Sequence, residues 1–237
     1  MHDLNFDVVK HNRARARLIA EEVHWVPPAD EVIALFADAS LRGQHTRGGV
    51  AVVRVLPPRG DQSATTGEGQ TTPGEKPFFL EVVTHELFAL GNRPSDCLLR
   101  LPVLQVEELE LLAILRGFEY AVVEVEVGML ADLATSRLLL WSDCLWGLNR
   151  LRLYRAGDSE YWQSYPHTWI LRLILECARK LKEYGVYVKC HWVPGHFAVP
   201  ANEAADYVAG QVSSGQPWNP VRVAQFSLRA EARPTSS

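Results

Sequence analysis

Residues 186–213 read VYVKCHWVPGHFAVPANEAADYVAGQVS, and this stretch decides the architecture. Val186, Val188, Cys190 and Trp192 alternate with Tyr187, Lys189 and His191, the period of a strand. Pro194-Gly195 breaks it. Beyond the break the apolar spacing changes to three and four, with Ala205, Val208 and Ala209 on one face. That predicts a short helix over 202–213 capped by Asn202. A strand thus feeds, through a tight loop carrying His196, a helix carrying Asp206.

Upstream, two further runs read as strands buried on both faces. Val32-Ile33-Ala34-Leu35-Phe36-Ala37 runs into Asp38, and Arg137-Leu138-Leu139-Leu140-Trp141-Ser142 runs into Asp143. Residues 48–57 and 77–87, rich in Val and Phe and bounded by turn formers, read as antiparallel partners of the first. Residues 57–76 between them hold Pro, Gly, Ser and Thr with no large apolar side chain, which predicts a flexible hairpin insertion. From Val106 a helical stripe of Leu109, Leu112, Ala113 and Phe118 faces the sheet. Residues 145–154 and 167–184 read as further helices, the latter stopped by Gly185. The order of strands and helices predicts a mixed α/β sheet covered by helices.

Composition sets the outer bounds. The chain has 237 residues, 47% of them hydrophobic, and 24 Lys+Arg against 28 Asp+Glu, a net charge of −4. A core can form. With a pI near 6.1, nucleic acid cannot be held by a bulk positive field, so any such binding must be local. No apolar run reaches the roughly 20 residues of a membrane span. Cys97, Cys144, Cys177 and Cys190 form no C-x-x-C pair, so neither a zinc site nor a disulfide framework is expected. The opening MHDLNFDVVK lacks the apolar stretch of a signal peptide, and Glu21 and Glu22 after HNRARARL argue against a mitochondrial presequence. The expected setting is intracellular, cytoplasmic or nuclear.

The acids carry the chemistry. A carboxylate at the end of a buried strand costs several kcal/mol unless it is paired or bound to a cation. Asp38 and Asp143 both sit there, and if their strands are neighbours, roughly 4.8 Å apart, two like charges face each other. Glu110, beside Leu109 on the helical stripe, is placed to reach the same point, with Glu107 one turn earlier as its competitor. Asp206 follows Asn202 by about one turn. Four carboxylates without His or Cys make a site for hard cations, magnesium or manganese, and a pair of such ions suits phosphoryl transfer.

These pieces together resemble type 1 ribonuclease H of the ribonuclease H-like superfamily. The matching residues are Asp38-Ala39-Ser40 with Gly48-Gly49-Val50-Ala51-Val52, Glu110-Leu111-Leu112-Ala113-Ile114, Trp141-Ser142-Asp143, Val193-Pro194-Gly195-His196 and Asn202-Glu203-Ala204-Ala205-Asp206. The resemblance implies a five-stranded mixed sheet of order 3-2-1-4-5, strand 2 antiparallel, in a domain spanning residues 31–214. A helical extension over residues 1–30 offers a surface for a protein partner, and residues 215–237 are expected to be a poorly ordered tail.

The resemblance also implies an endonuclease that cuts the RNA strand of RNA–DNA hybrids with two Mg2+ or Mn2+ ions held by Asp38, Glu110, Asp143 and Asp206. His196 assists from its loop, and Ser40, Arg42, Gln105 and Asn202 contact nucleic acid. Phe197-Ala198 stands where the family usually has a small pair, and Gln105 where it has Asn. Two other readings stay open: an interaction module without activity, and a retroelement-derived nuclease of the same fold with another substrate.

Overall fold

The computed structural model describes residues 6–25, 31–43, 46–56, 78–89, 105–128, 136–156, 162 and 165–229. In chain order the elements are β1 (Phe6–Val9), α1 (Arg13–Trp25), β2 (Val32–Arg42), β3 (Arg47–Leu56), β4 (Phe79–Ala89), α2 (Val106–Glu126), β5 (Arg137–Ser142), α3 (Leu145–Ala156), α4 (Thr168–Glu183), β6 (Tyr187–Trp192), α5 (Pro200–Ser213) and α6 (Pro220–Arg229). The strands form one mixed sheet of order β1-β6-β5-β2-β3-β4.

The apolar run of β2 is buried because the strand lies inside the sheet with both faces covered. On one face Ile33, Leu35 and Ala37 of β2, with Leu138 and Leu140 of β5, meet Leu109, Ala113 and Phe118 of α2 and Ile170 and Ile174 of α4. On the other, Ala34, Phe36 and Trp141 meet Ala20 and Val23 of α1, Ala205 and Val208 of α5, and Val223 and Phe226 of α6. Gly49 lets α5 lie directly on β3, since a Cβ there would run into the Ala209 carbonyl oxygen and the Ser213 nitrogen.

The parallel registers Phe36↔Trp141 and Trp141↔His191 align three flat side chains across adjacent strands. Phe36 stacks on Trp141 with centroids 4.9 Å apart, and Trp141 on His191 at 5.2 Å. His11 extends the row, 6.2 Å from His191.

The five strands β4-β3-β2-β5-β6 have the expected order, with β3 antiparallel to β2. Several boundaries differ. A sixth strand, β1, pairs in parallel with β6 inside the segment expected to be helical alone. Its FDVV sequence is four residues long and has no periodicity to read, so only the open edge of β6 defines it. Helix α1, in the extension where a surface for a protein partner is expected, packs Ala16, Ala20 and Val23 within the chain. Part of the expected tail is α6, ordered because Val223 and Phe226, three residues apart, reach the core. β2 also continues past Asp38 to Arg42, because antiparallel pairing with β3 goes on after β5 has left.

The insertion at 57–76 and Cys97 lie outside the described residues. Cys144, Cys177 and Cys190 are free thiols. Among the described residues no helix is long and apolar enough to cross a membrane.

Candidate metal centre

The parallel ladder between β2 and β5 ends at Phe36↔Trp141, and two residues further on the chains carry Asp38 and Asp143. Beyond that point β2 pairs only with β3, so a crevice opens on its other side, where α/β sheets commonly bind ligands. Asp143 begins the turn into α3, its carbonyl accepting the Leu145 N–H at 2.8 Å. Glu110 enters from the second turn of α2, whose Leu109 and Ala113 hold that helix on the sheet.

One carboxylate oxygen each from Asp38, Glu110 and Asp143 lies within 4.8 Å of the other two. Asp38 and Glu110 are buried, and the Glu110 Oε2 has no hydrogen-bond partner. Burial drives the Asp38 and Glu110 carboxyls well above the ordinary carboxylate range, and the charges around them push the same way: Asp143 and Asp206 on Asp38, and Asp38, Asp143, Asp206 and Glu107 on Glu110. Asp143 is also raised by burial, with His196 opposing and Asp206 adding to the shift. Such a group is costly as three anions and is relieved by protonation or by a cation. All-oxygen donors and an orphaned buried carboxylate oxygen fit a hard divalent ion.

Glu110 rather than Glu107 belongs to the cluster. Asp206 is placed differently from its three companions: it is exposed on α5 and outside the compact group, yet its charge reaches all three. Asn202 is not the helix cap. Val199 holds that position and Pro200 opens the helix, where its missing N–H costs nothing. The buried Asn202 instead donates its side-chain amide to the Asp143 carboxylate, which lowers the Asp143 pKa against the larger effect of burial.

His196 is exposed, in a loop where both it and Ala198 have left-handed backbone, φ 57° and 56°. Non-glycine residues pay about 1 kcal/mol or more there, so the surrounding structure must hold them. The Arg13 guanidinium of α1 lies 4.2 Å over the Phe197 ring and supplies one such hold. Gly195 is small by necessity, because a Cβ would run into the Asp143 carboxylate.

Of the expected nucleic-acid contacts, the partly buried Ser40 accepts the Ser213 hydroxyl at 3.3 Å, and Arg42 is exposed at the far end of β2. Gln105, just ahead of α2, has its Oε1 3.1 Å from the Nε2 of buried His167. Trp162 is core, packed edge-on to Tyr154 and Tyr165. Sequence reasoning missed Arg13 and Trp192. The Trp192 Nε1 donates to the Asp143 carbonyl at 3.0 Å. Neither contact leaves a local pattern, because each partner lies far away in the chain.

No protein-family model matches the chain, and no curated protein matches its sequence. Solved structures do. LC9-RNase H1, a type 1 RNase H with the type 2 active-site motif, superposes with a TM-score of 0.52 at 14% identity, covering 81% of this chain and 77% of that one. RNase H1 from Halobacterium salinarum gives 0.41 at 18% identity, covering 78% and 98%. The N-terminal RNase H domain of a Mycobacterium tuberculosis protein gives 0.42 at 17%, covering 78% and 94%. With its sheet order and the first of these superpositions, the chain has the ribonuclease H-like fold.

Proposed function

We propose that this chain is a metal-dependent endoribonuclease that hydrolyses the RNA strand of RNA–DNA hybrids. The observation that carries the reading is the convergence of Asp38 from within β2, Asp143 from just beyond the end of the adjacent β5 and Glu110 from a helix into a largely buried cluster with an unsatisfied oxygen. An interaction module without chemistry has no use for so costly an arrangement.

Two Mg2+ or Mn2+ ions, when bound, supply an activated water and stabilise the leaving 3′ oxygen. Asp38, Glu110 and Asp143 would hold them, with Asp206 joining from the rim. Asn202 orients the Asp143 carboxylate and takes up one of its lone pairs. His196, exposed beside Asp143, would exchange a proton with solvent during turnover. Ser40 and Arg42 remain candidates for backbone contact, whereas Gln105 already has its oxygen on His167. That engagement favours, as a second reading, a nuclease of this fold with another substrate.

The test is cleavage of a labelled RNA–DNA hybrid in magnesium and in manganese, beside Asp143→Asn. Cutting by the wild type alone supports the proposal, and no cutting in either metal sinks it. Better cutting of duplex RNA or single-stranded DNA would move the assignment to the second reading.

A further inference from the structure

The net charge of −4 conceals a local concentration of positive charge. Helix α3, which starts two residues after Asp143, carries Arg150, Arg152 and Arg155 and no acid. The N-terminal segment carries Lys10, Arg13, Arg15 and Arg17 ahead of Glu21. Pairing of β1 with β6, Val8 to Cys190 and Val9 to His191, brings this segment up beside α3.

Between them is a cleft of about 180 Å³ lined by Val8, Lys10, Leu145, Asn149, Arg152 and Trp192. Asn149 and Arg152 are three apart and share one helix face. Trp192, which lines the cleft, also donates its Nε1–H to the backbone carbonyl of Asp143, so the cleft adjoins the turn that carries this acid. Other cations nearby are engaged: Arg17 with Glu21 at 2.6 Å, Arg155 with Asp7 at 3.6 Å, and Arg150 over the Trp146 ring at 5.3 Å. Lys10 and Arg152 are exposed and make no ion pair among the described residues. The volume is below the roughly 300–1,000 Å³ of a drug-sized pocket, which suits one phosphate and its water rather than a whole nucleotide.

We propose that this cleft holds a backbone phosphate of the polynucleotide substrate, with Lys10 and Arg152 as the cations and the Asn149 amide as a neutral donor. The identity of the ligand rests on the nuclease reading above. The cleft also answers how an acidic chain grips a polyanion: Lys10, just after β1, and Arg152 on α3 place two cations together at one edge of the sheet.

The test measures binding of a labelled RNA–DNA hybrid by fluorescence anisotropy over a range of salt, with a chelator present so that nothing is cut. Lys10→Ala and Arg152→Ala should each weaken binding several-fold and flatten the slope of log affinity against log salt by about 0.9, the value for one lost phosphate contact. Arg152→Lys should keep most of both, and unchanged melting temperatures show that these exposed substitutions leave the fold intact. Affinity and slope equal to wild type in both alanine variants overturn the site, even if the wild type cleaves hybrid normally. Loss of affinity in the variants of a protein that cleaves nothing sustains the cleft and removes the nuclease reading. A wild type that binds no hybrid overturns both. In a parallel arm, inorganic phosphate that raises the wild-type melting temperature through Lys10 and Arg152, with the hybrid slope unmoved, would assign the cleft to free phosphate and overturn the polynucleotide proposal.

Discussion

Asn202, in the first turn of α5, donates its side-chain amide to the carboxylate of Asp143, at the start of the turn that follows β5. The contact joins α5 to the candidate metal centre and gives one of the three converging acids a hydrogen-bond donor. Partners of this kind typically change metal affinity 10–100-fold when removed. Asn202→Ala is therefore expected to weaken Mn2+ binding by a factor in that range, read by calorimetric titration, while the circular dichroism spectrum stays that of the wild type. Unchanged affinity would show that Asp143 orients itself.

Without metal, the three-carboxylate cluster opposes folding. A carboxyl whose folded pKa is raised binds its proton more tightly in the folded state, so the contribution of these groups to the stability of the metal-free protein is fully present below the ordinary carboxylate range and is lost as pH rises through the raised values. At neutral pH Asp38→Asn should stabilise the metal-free protein, by about 1–3 kcal/mol, and shrink its gain in melting temperature on adding Mn2+. The difference between variant and wild type should narrow as pH falls toward 5. An Asp38→Asn protein less stable than wild type in chelator at pH 8 contradicts this.

His191 predicts a separate acid limb. Burial, aided by His11 and Lys189, lowers its pKa to about 4, and its ring is stacked on Trp141. A base with a depressed folded pKa is protonated first in the unfolded state, so stability falls as pH drops from the ordinary histidine range toward that value. At roughly 1.36 kcal/mol per unit, the full effect is roughly 3 kcal/mol. His191→Phe, which keeps a flat ring in the row, should flatten this limb in urea titrations at pH 7 and pH 4.5.

Gly49 tests the seating of α5. At an unstrained strand position Gly→Ala ordinarily adds a few tenths to about 1 kcal/mol by restricting the unfolded chain. Here the added methyl meets the backbone of α5 at Ala209 and Ser213, and backbone has little room to yield. Gly49→Ala should instead cost about 1–3 kcal/mol and lower activity, since α5 carries Asn202 and Asp206. A neutral or stabilising result would mean that the helix is less closely seated.

The contact of Arg13 with Phe197 predicts a loop effect without a fold effect. A cation over an aromatic ring at such an exposed site contributes about 0.5–1 kcal/mol. Arg13→Ala should speed amide hydrogen exchange across residues 195–199 several-fold and leave exchange in β2 and β5 unchanged, with Arg13→Lys intermediate. Equal exchange in the loop of all three proteins would remove Arg13 from its support.

Much of this protein was readable in the chain itself, for a physical reason. Uninterrupted apolar runs such as Val32–Ala37 and Leu138–Leu140 have only one stable placement, inside a two-sided sheet, and an acid at the end of each is tolerable only with compensation. The stripe around Leu109 made Glu110 the candidate with Glu107, three residues earlier on nearly the same face, as its competitor, and only the assembled group of Asp38, Glu110 and Asp143 separates them. Tertiary structure decided what depends on partners distant in sequence. β1 exists because β6 offers an open edge. Asn202 serves Asp143 rather than the helix end because Pro200 already starts α5. Asp206 is exposed on α5 and lies outside the compact group, a placement that depends on how α5 packs on the sheet through Ala205, Val208 and its close approach to Gly49. The basic cleft of Lys10 and Arg152 arises only when that strand pairing lays the first segment against α3. Local periodicity specifies which face of an element is buried, whereas burial energy is indifferent to which polar groups then meet, and those meetings belong to the assembled fold.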